Sequence, residues 1–470
     1  MSHIETDYLV VGSGAVGMAF VDTLLDETDA HITIVDRRGK PGGHWNDAYP
    51  FVALHQPSAF YGVNSTELGS TSIDTTGLNK GFYELATGTE VNAYYDALMQ
   101  KRFISSGRVN YHPMCNYEGT DDGVAEFTSI LSGTKTKVKV RKKTVDATYY
   151  ASSIPATHTP KFDIADNVHF IPPNDLPKLW QKANLRPQKF VIVGAGKTAM
   201  DVGVWLLRSG ANADDIIWVC PRDSWLLNRN STQPGEEFFH QTIGGQRDIM
   251  TALAQSENVD EVFERLERDD VMLRINKNVK PTMFHYATIS QGEVDILQQI
   301  ENVVRKGRVK SIDAAGMTFA NGRHPVEGAA VYIDCTATAV ERRPVVPQFQ
   351  NDLITLQMIR IPQPAFSAAL TAFLEATYDD DETKNRMGQP IALPDSIEGY
   401  PPATLTNMLN QFQWSQDQKV NQWITSCRLD GFGKMIFGVA PDDSKKMAVL
   451  EQFRTNAMAA MGNIPNLISG

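Results

Sequence analysis

The chain has 470 residues, 42% of them apolar, and a formal net charge of −11, so it is long enough for two or three domains with sizeable cores. An acidic balance with no basic stripe argues against nucleic-acid binding, because phosphate recognition wants a cationic face. No apolar run approaches the ~20 residues that cross a membrane. The four cysteines, Cys115, Cys220, Cys335 and Cys427, stand singly, which excludes a C-x-x-C redox pair and leaves no metal-ligand spacing.

The first element is an apolar strand that runs into Asp7-Tyr-Leu-Val-Val-Gly12-Ser-Gly14-Ala-Val-Gly17. Nothing like a signal peptide precedes it, and single cysteines suit a reducing compartment, so a cytoplasmic location is expected. Met18 to Leu25 reads as a helix and His31 to Val35 as a second strand ending in Asp36 and Arg37. Strand, glycine turn, helix and strand-end acid together form a dinucleotide fingerprint. The glycines let bare backbone meet a pyrophosphate, the helix N-terminus faces its charge, and the acid about 20 residues on accepts from ribose hydroxyls.

A loop-rich stretch after Ser58 leads to a helix near Val91 to Lys101, then to short strands at Val109 to His112 and Lys137 to Val140 that extend the first domain as a meander. Thr144 to Tyr149 heads into a proline-rich crossover, Pro155 to Pro177. A second fingerprint follows, Lys189-Phe-Val-Ile-Val-Gly194-Ala-Gly196-Lys-Thr198-Ala199. Ala199 replaces the third glycine, where a small residue suffices. The next strand, Ile216 to Cys220, ends in Pro221-Arg222 with no acid at its tip. A guanidinium there grips a 2′-phosphate, which points to NADP, with Arg229 as a weaker second candidate.

A polar, more helical stretch is expected to about Arg308, then a strand pair at Val309 to Asp313 and Met317 to Ala320, and then the strand Ala330 to Thr336. Its end, Asp334-Cys-Thr336, repeats the pattern Asp146-Ala-Thr148. Helices at Ala368 to Thr377 and Lys445 to Ala460 follow. The fold expected is α/β, with two Rossmann-like dinucleotide-binding domains. The NADP domain, 179–330, is inserted into an FAD domain made of 1–178 and 331–470, and helices are added at the C-terminus.

Gly42-Gly43-His44-Trp45, Tyr49-Pro50 and Leu54-His55-Gln56-Pro57 resemble the G-G-[TV]-W run and flavin loop of class B flavin-dependent monooxygenases, the two-dinucleotide N-, S- and Baeyer–Villiger oxygenases. Gln363-Pro364 is similar to that family's late segment at the flavin, and Arg222 to Arg229 to its stretch beside the NADP ribose. The resemblance implies FAD held by Gly12, Gly14, Gly17, Asp36, Arg37, Gly43, His44, Trp45 and Gln363. It implies NADP held by Gly194, Gly196, Thr198, Arg222 and Arg229.

Departures are as informative. Tyr149 and Ala337 replace the glycines of the family's A-T-G turns, and Ala53 and His55 stand where a Baeyer–Villiger enzyme carries arginine and an acid. His55 and Gln56 are therefore the candidate catalytic side chains. The activity implied is NADPH-dependent oxygenation of a small organic substrate by molecular oxygen through a flavin C4a-peroxide. An FAD-dependent NADPH dehydrogenase or oxidase and a slow-turnover nucleotide-binding redox sensor are the alternatives. No metal is implied, and neither substrate identity nor oligomeric state can be read from the chain.

Overall fold

The computed structural model describes residues 2–121, 123–181, 187–338 and 340–469. The first glycine turn lies on an eight-stranded sheet whose spine is parallel. Ser2–Val11 runs between Lys135–Asp146 and Ile32–Val35, with Val109–His112 beyond one neighbour and Leu353–Thr355 beyond the other. Ile32–Val35 is buried at all four positions, Thr33 included, as a strand covered on both faces of a parallel sheet should be. Val109–His112, expected in a meander, instead pairs parallel with Ile32–Val35, while Cys115–Asp121, Val124–Ser129 and the long strand Lys135–Asp146 pair antiparallel as a meander.

Helix Ala15–Glu27 packs on this sheet, and helix Pro364–Thr377 packs along it. Small residues allow the close approach. Gly17 and Ala19 on one helix and Ala368, Ala369 and Ala372 on the other are all buried. The late segment is thereby carried back to the first fingerprint across more than three hundred residues of intervening chain.

The second unit has its own five-stranded parallel sheet, ordered Val303–Val304, Ile216–Val219, Lys189–Val193, Ala330–Asp334, Phe170–Ile171. Two of these strands shift the edges expected for the segment 179–330. Phe170–Ile171 lies before it and Ala330–Asp334 beyond its end, yet both are bonded into this sheet. In addition, Asp163–Ile164 pairs with Val309–Asp313 in a small four-stranded sheet. The stretch expected to be mostly helical holds helices Phe239–Gln255 and Val259–Arg268, but also a three-stranded sheet of Ser224–Asn228, Met272–Leu273 and Met283–Ile289. Those strands are short and lack alternation, so helical spacing dominated the sequence pattern there.

The C-terminal third is richer in helix than expected. It adds Asp381–Met387, Tyr400–Gln416 and Gln418–Ser426 before Ser444–Ser469. No helix among the described residues is long and apolar enough to cross a membrane.

The two repeated returns serve one purpose. Asp146 Oδ1 accepts from the N–H (2.7 Å) and hydroxyl (2.7 Å) of Thr148, and Asp334 Oδ1 accepts from those of Thr336 at 3.0 and 2.7 Å. Each turn presses its strand end against a glycine. A Cβ on Gly12, at φ +101°, would lie 2.9 Å from Thr148 Cγ2, and one on Gly194, at φ +129°, would lie 2.3 Å from the Cys335 carbonyl oxygen.

Candidate functional site

Both glycine turns end in open helix starts. Gly14 caps Ala15–Glu27 and Gly196 caps Lys197–Arg208, and neither helix receives a side-chain capping bond, so their first N–H groups face outward, ready for an anion. At the first turn Gly17 is compulsory, because a Cβ there would stand 2.1 Å from the Gly12 carbonyl oxygen. Gly14 and Gly43 pass backbone to backbone, with a Gly43 Cβ placed only 3.0 Å from the Gly14 Cα. The paired glycines after the second strand thus fold over the first turn and form a cradle of bare main chain.

Asp36 is at the strand tip, but its carboxylate is committed to that loop. Oδ2 accepts from Ser13 N (2.6 Å) and Oγ (2.7 Å), and Oδ1 from Arg38 N (2.7 Å). Arg37 is exposed, while Arg38 binds Asp47 at 2.8 Å. His44 stacks on Trp45 with ring centroids 5.5 Å apart, and Trp45 Nε1 donates to Tyr61 Oη at 2.8 Å. Burial, aided by Arg38, pushes the His44 pKa down to about 4, so the ring is neutral at neutral pH. Gln363 is buried at the start of helix Pro364–Thr377, and its Oε1 has no partner. A buried acceptor of this kind costs about 1–3 kcal/mol unless something else satisfies it. Cradle, uncapped helix starts and an orphaned polar atom fit a bound dinucleotide on the first unit.

On the second unit Arg222 is exposed beyond the tip of Ile216–Val219, beside a cavity of about 430 Å³ lined by Ala195, Trp218, Cys220, Asp223, Asn276 and Arg305. An acid does stand near that tip. Asp223, one residue past Arg222, takes a two-pronged bond from Arg305 at 2.9 and 3.0 Å, so its charge is already matched. Thr198 is half-buried in the first turn of the fingerprint helix.

Arg229 corrects the sequence reading. Its side chain is 2% exposed; Nη2 pairs with Glu293 Oε2 at 2.7 Å, Nε donates to the His55 carbonyl at 3.0 Å and Nη1 to Asn79 Oδ1 at 3.3 Å. Arg229 cannot grip a nucleotide phosphate from there. Trp225, read beside it as part of the ribose stretch, is a core residue stacked on Phe263 at 5.7 Å.

Those contacts belong to a network that sequence reasoning missed. Lys197, the first residue of the fingerprint helix, pairs with Asp201 one turn on and with Glu293 at 3.2 Å. Asp201 Oδ2 accepts from Tyr49 Oη at 2.6 Å and lies 3.5 Å from His55 Nε2. Tyr49 and His55 come from the loop after Gly43, so the network joins that loop to the start of the second unit's glycine helix. Two cations balance two carboxylates, the arrangement a buried charge cluster needs.

Burial alone would raise Glu293, yet Lys197 and Arg229 hold it at about 2. Burial likewise opposes ionisation of Asp201, but Lys197 and His55 keep it far below the usual carboxylate range. Asp201 and Glu293 in turn keep Lys197 charged against burial. The His55 imidazole is 37% exposed. The surrounding protein and Lys197 nevertheless depress its pKa, outweighing Asp201. Gln56, its neighbour, is half-buried. Two signals for this cluster were legible: the i,i+4 spacing of Lys197 and Asp201, and the capping box Ser290-x-x-Glu293, which forms as written.

No protein-family model matches the chain. It is 41% identical over 449 residues to uncharacterized protein Rv2000 of Mycobacterium tuberculosis, an alignment covering 96% of this chain and 81% of the relative. The same values relate it to uncharacterized protein Mb2023 of Mycobacterium bovis. The chain belongs to their family. Among solved structures, polycyclic ketone monooxygenase from the thermophilic fungus Thermothelomyces thermophila superposes with a TM-score of 0.52 at 14% identity, over 97% of this chain and 89% of that one. Cyclohexanone-bound cyclohexanone monooxygenase in the rotated conformation gives 0.50 at 11% identity, over 97% and 99%. This family member therefore has the class B flavin-dependent monooxygenase fold.

Proposed function

We propose that the protein is an NADPH-dependent FAD monooxygenase acting on a small organic substrate. The observation that carries this reading is the pair of uncapped glycine helix starts, one on each parallel sheet, joined by contacts from the loop after Gly43. In this reading Gly12, Gly14, Gly17 and Gly43 hold FAD, with Gln363 and the helix beginning at Pro364 at its ring. Gly194, Gly196, Thr198 and Arg222 hold NADPH. Bound flavin supplies the hydride acceptance and the oxygen chemistry. The chain supplies main-chain donors for both pyrophosphates and a uniform approach for the two cofactors. It also buries Tyr49, and most of Lys197 and Asp201, where the loop after Gly43 meets the second unit.

Purified protein is expected to be yellow and to bleach much faster with NADPH than with NADH. Substrate oxidised under ¹⁸O₂ is expected to carry one labelled atom. A colourless protein that takes up no FAD sinks the flavin assignment. A yellow one whose product carries no label is instead a dehydrogenase or oxidase.

Arg222→Ser tests the NADPH assignment. It removes an exposed guanidinium and no packing, so the protein should fold unchanged while its preference for NADPH over NADH falls by about 10- to 100-fold, the value of one charge-assisted bond to phosphate. The ratio of kcat/KM for the two nucleotides measures it. An unchanged ratio places the 2′-phosphate elsewhere.

A further inference from the structure

Tyr49, His55 and Asp201 are brought together from two units, and the arrangement is that of an oriented imidazole. Asp201 Oδ2 lies 3.5 Å from His55 Nε2 and takes the Tyr49 hydroxyl at 2.6 Å. The His55 carbonyl is pinned by Arg229 Nε at 3.0 Å. Both ends of the residue therefore face the second unit, while the ring is partly exposed. A carboxylate 3.5 Å away favours the tautomer with its proton on Nε2, which leaves the Nδ1 lone pair free for another partner. Among the described residues His55 Nδ1 meets none.

We propose that His55, oriented by Asp201 and Tyr49, is the proton-transferring group at the junction of the two units. The protonated ring gives its Nδ1 proton to a basic oxygen or nitrogen of a bound small molecule and keeps its Nε2–H toward Asp201. Solvent at the exposed edge returns the proton, so nothing is oxidised or reduced in the exchange. Asp201 and Tyr49 are positioning residues: they set the tautomer and the direction of Nδ1 without touching the acceptor. The groups facing the ring are Lys197 and Asp201 from the fingerprint helix, Glu293 beyond Lys197, Arg229 against its carbonyl, and Tyr49 from its own loop. This assignment rests on reading that junction as the meeting place of the two dinucleotides, but its central test does not depend on either being reduced.

The test is imidazole NMR on the full-length protein with labelled histidine, the His55 signals identified by their loss in His55→Gln. At high pH wild-type His55 is expected as the Nε2–H tautomer. Asp201→Asn removes the carboxylate, so the midpoint of His55 titration should fall by about one pH unit. Tyr49→Phe frees Asp201 of its second donor and should raise the midpoint while leaving every buried charge in place, so it reports even where Asp201→Asn folds poorly. The pH profile of flavin reduction should lose its limb near the His55 midpoint in His55→Gln and follow that midpoint in the other two variants. An Nδ1–H tautomer, a midpoint unmoved by both substitutions, or a pH profile unchanged in His55→Gln overturns the proposal. Flavin content and bleaching by NADPH, recorded on the same samples, report separately on the cofactor reading.

Discussion

Arg229→Met is expected to destabilise the protein by about 3 kcal/mol, the lower end of the ~3–5 kcal/mol that follows removal of one partner from a buried ion pair. Methionine fills much of the volume, so the loss is electrostatic and hydrogen-bonding rather than a cavity. Glu293 Oε2 loses its 2.7 Å partner, and the His55 carbonyl and Asn79 lose their donors. Lys197 stays 3.2 Å from the other Glu293 oxygen, and this is why the lower end is expected. Urea unfolding followed by fluorescence measures the change, and the double variant with Glu293→Gln completes a cycle. The double variant should recover part of the loss, because no unmatched carboxylate then remains on that side. A single-variant loss under about 1 kcal/mol would make the pair equivalent to a surface salt bridge and leave Arg229 without its anchoring role. A loss of the expected size with intact flavin binding would place the damage at the junction of the units.

The contrast between Arg222 and Arg229 shows what can be read from the chain alone. Strand, glycine turn and helix are local, so both fingerprints and the inward pattern of Ile32–Val35 were legible from spacing. So was the repeated Asp-x-Thr return, whose capping geometry proved the same in both copies. Arg229 lies only seven residues past Arg222, yet the strand Ser224–Asn228 between them carries it inward against the His55 loop. That strand's pairing depends on Met283–Ile289, far along the chain, and no local pattern reports it. The Lys197, Asp201, Glu293 and Arg229 cluster was hidden for the same reason. Charged residues in an acidic chain read as solvated until the fold assembles four of them in one buried place. His55 and Gln56 were singled out by what they replace in a family pattern. The partner that gives His55 a direction, Asp201, came only with the fold.

The two glycines of the second fingerprint are expected to fail in different ways, and that difference tests the site more sharply than either loss alone. Gly194→Ala puts a Cβ 2.3 Å from the Cys335 carbonyl oxygen on a residue with φ +129°. Backbone must shift, so the second unit should lose stability by several kcal/mol, on the order of other strained or overpacked sites. Gly196 has φ −80° and ψ −179°, a conformation any residue adopts, and a Cβ there meets nothing within 4 Å. Gly196→Val should therefore fold almost as well, giving up only the few tenths to about 1 kcal/mol that separate glycine from a branched N-cap. Its side chain would nevertheless stand at the helix start where a pyrophosphate must approach bare main chain. NADPH affinity should drop by about 100-fold or more, roughly 2.8 kcal/mol, with flavin content and thermal midpoint close to wild type. Titration of the oxidised protein with NADP⁺, beside a thermal melt, separates the two effects. If Gly196→Val binds NADP⁺ normally, the empty space at that turn is not the nucleotide's, and the second fingerprint is a structural turn alone.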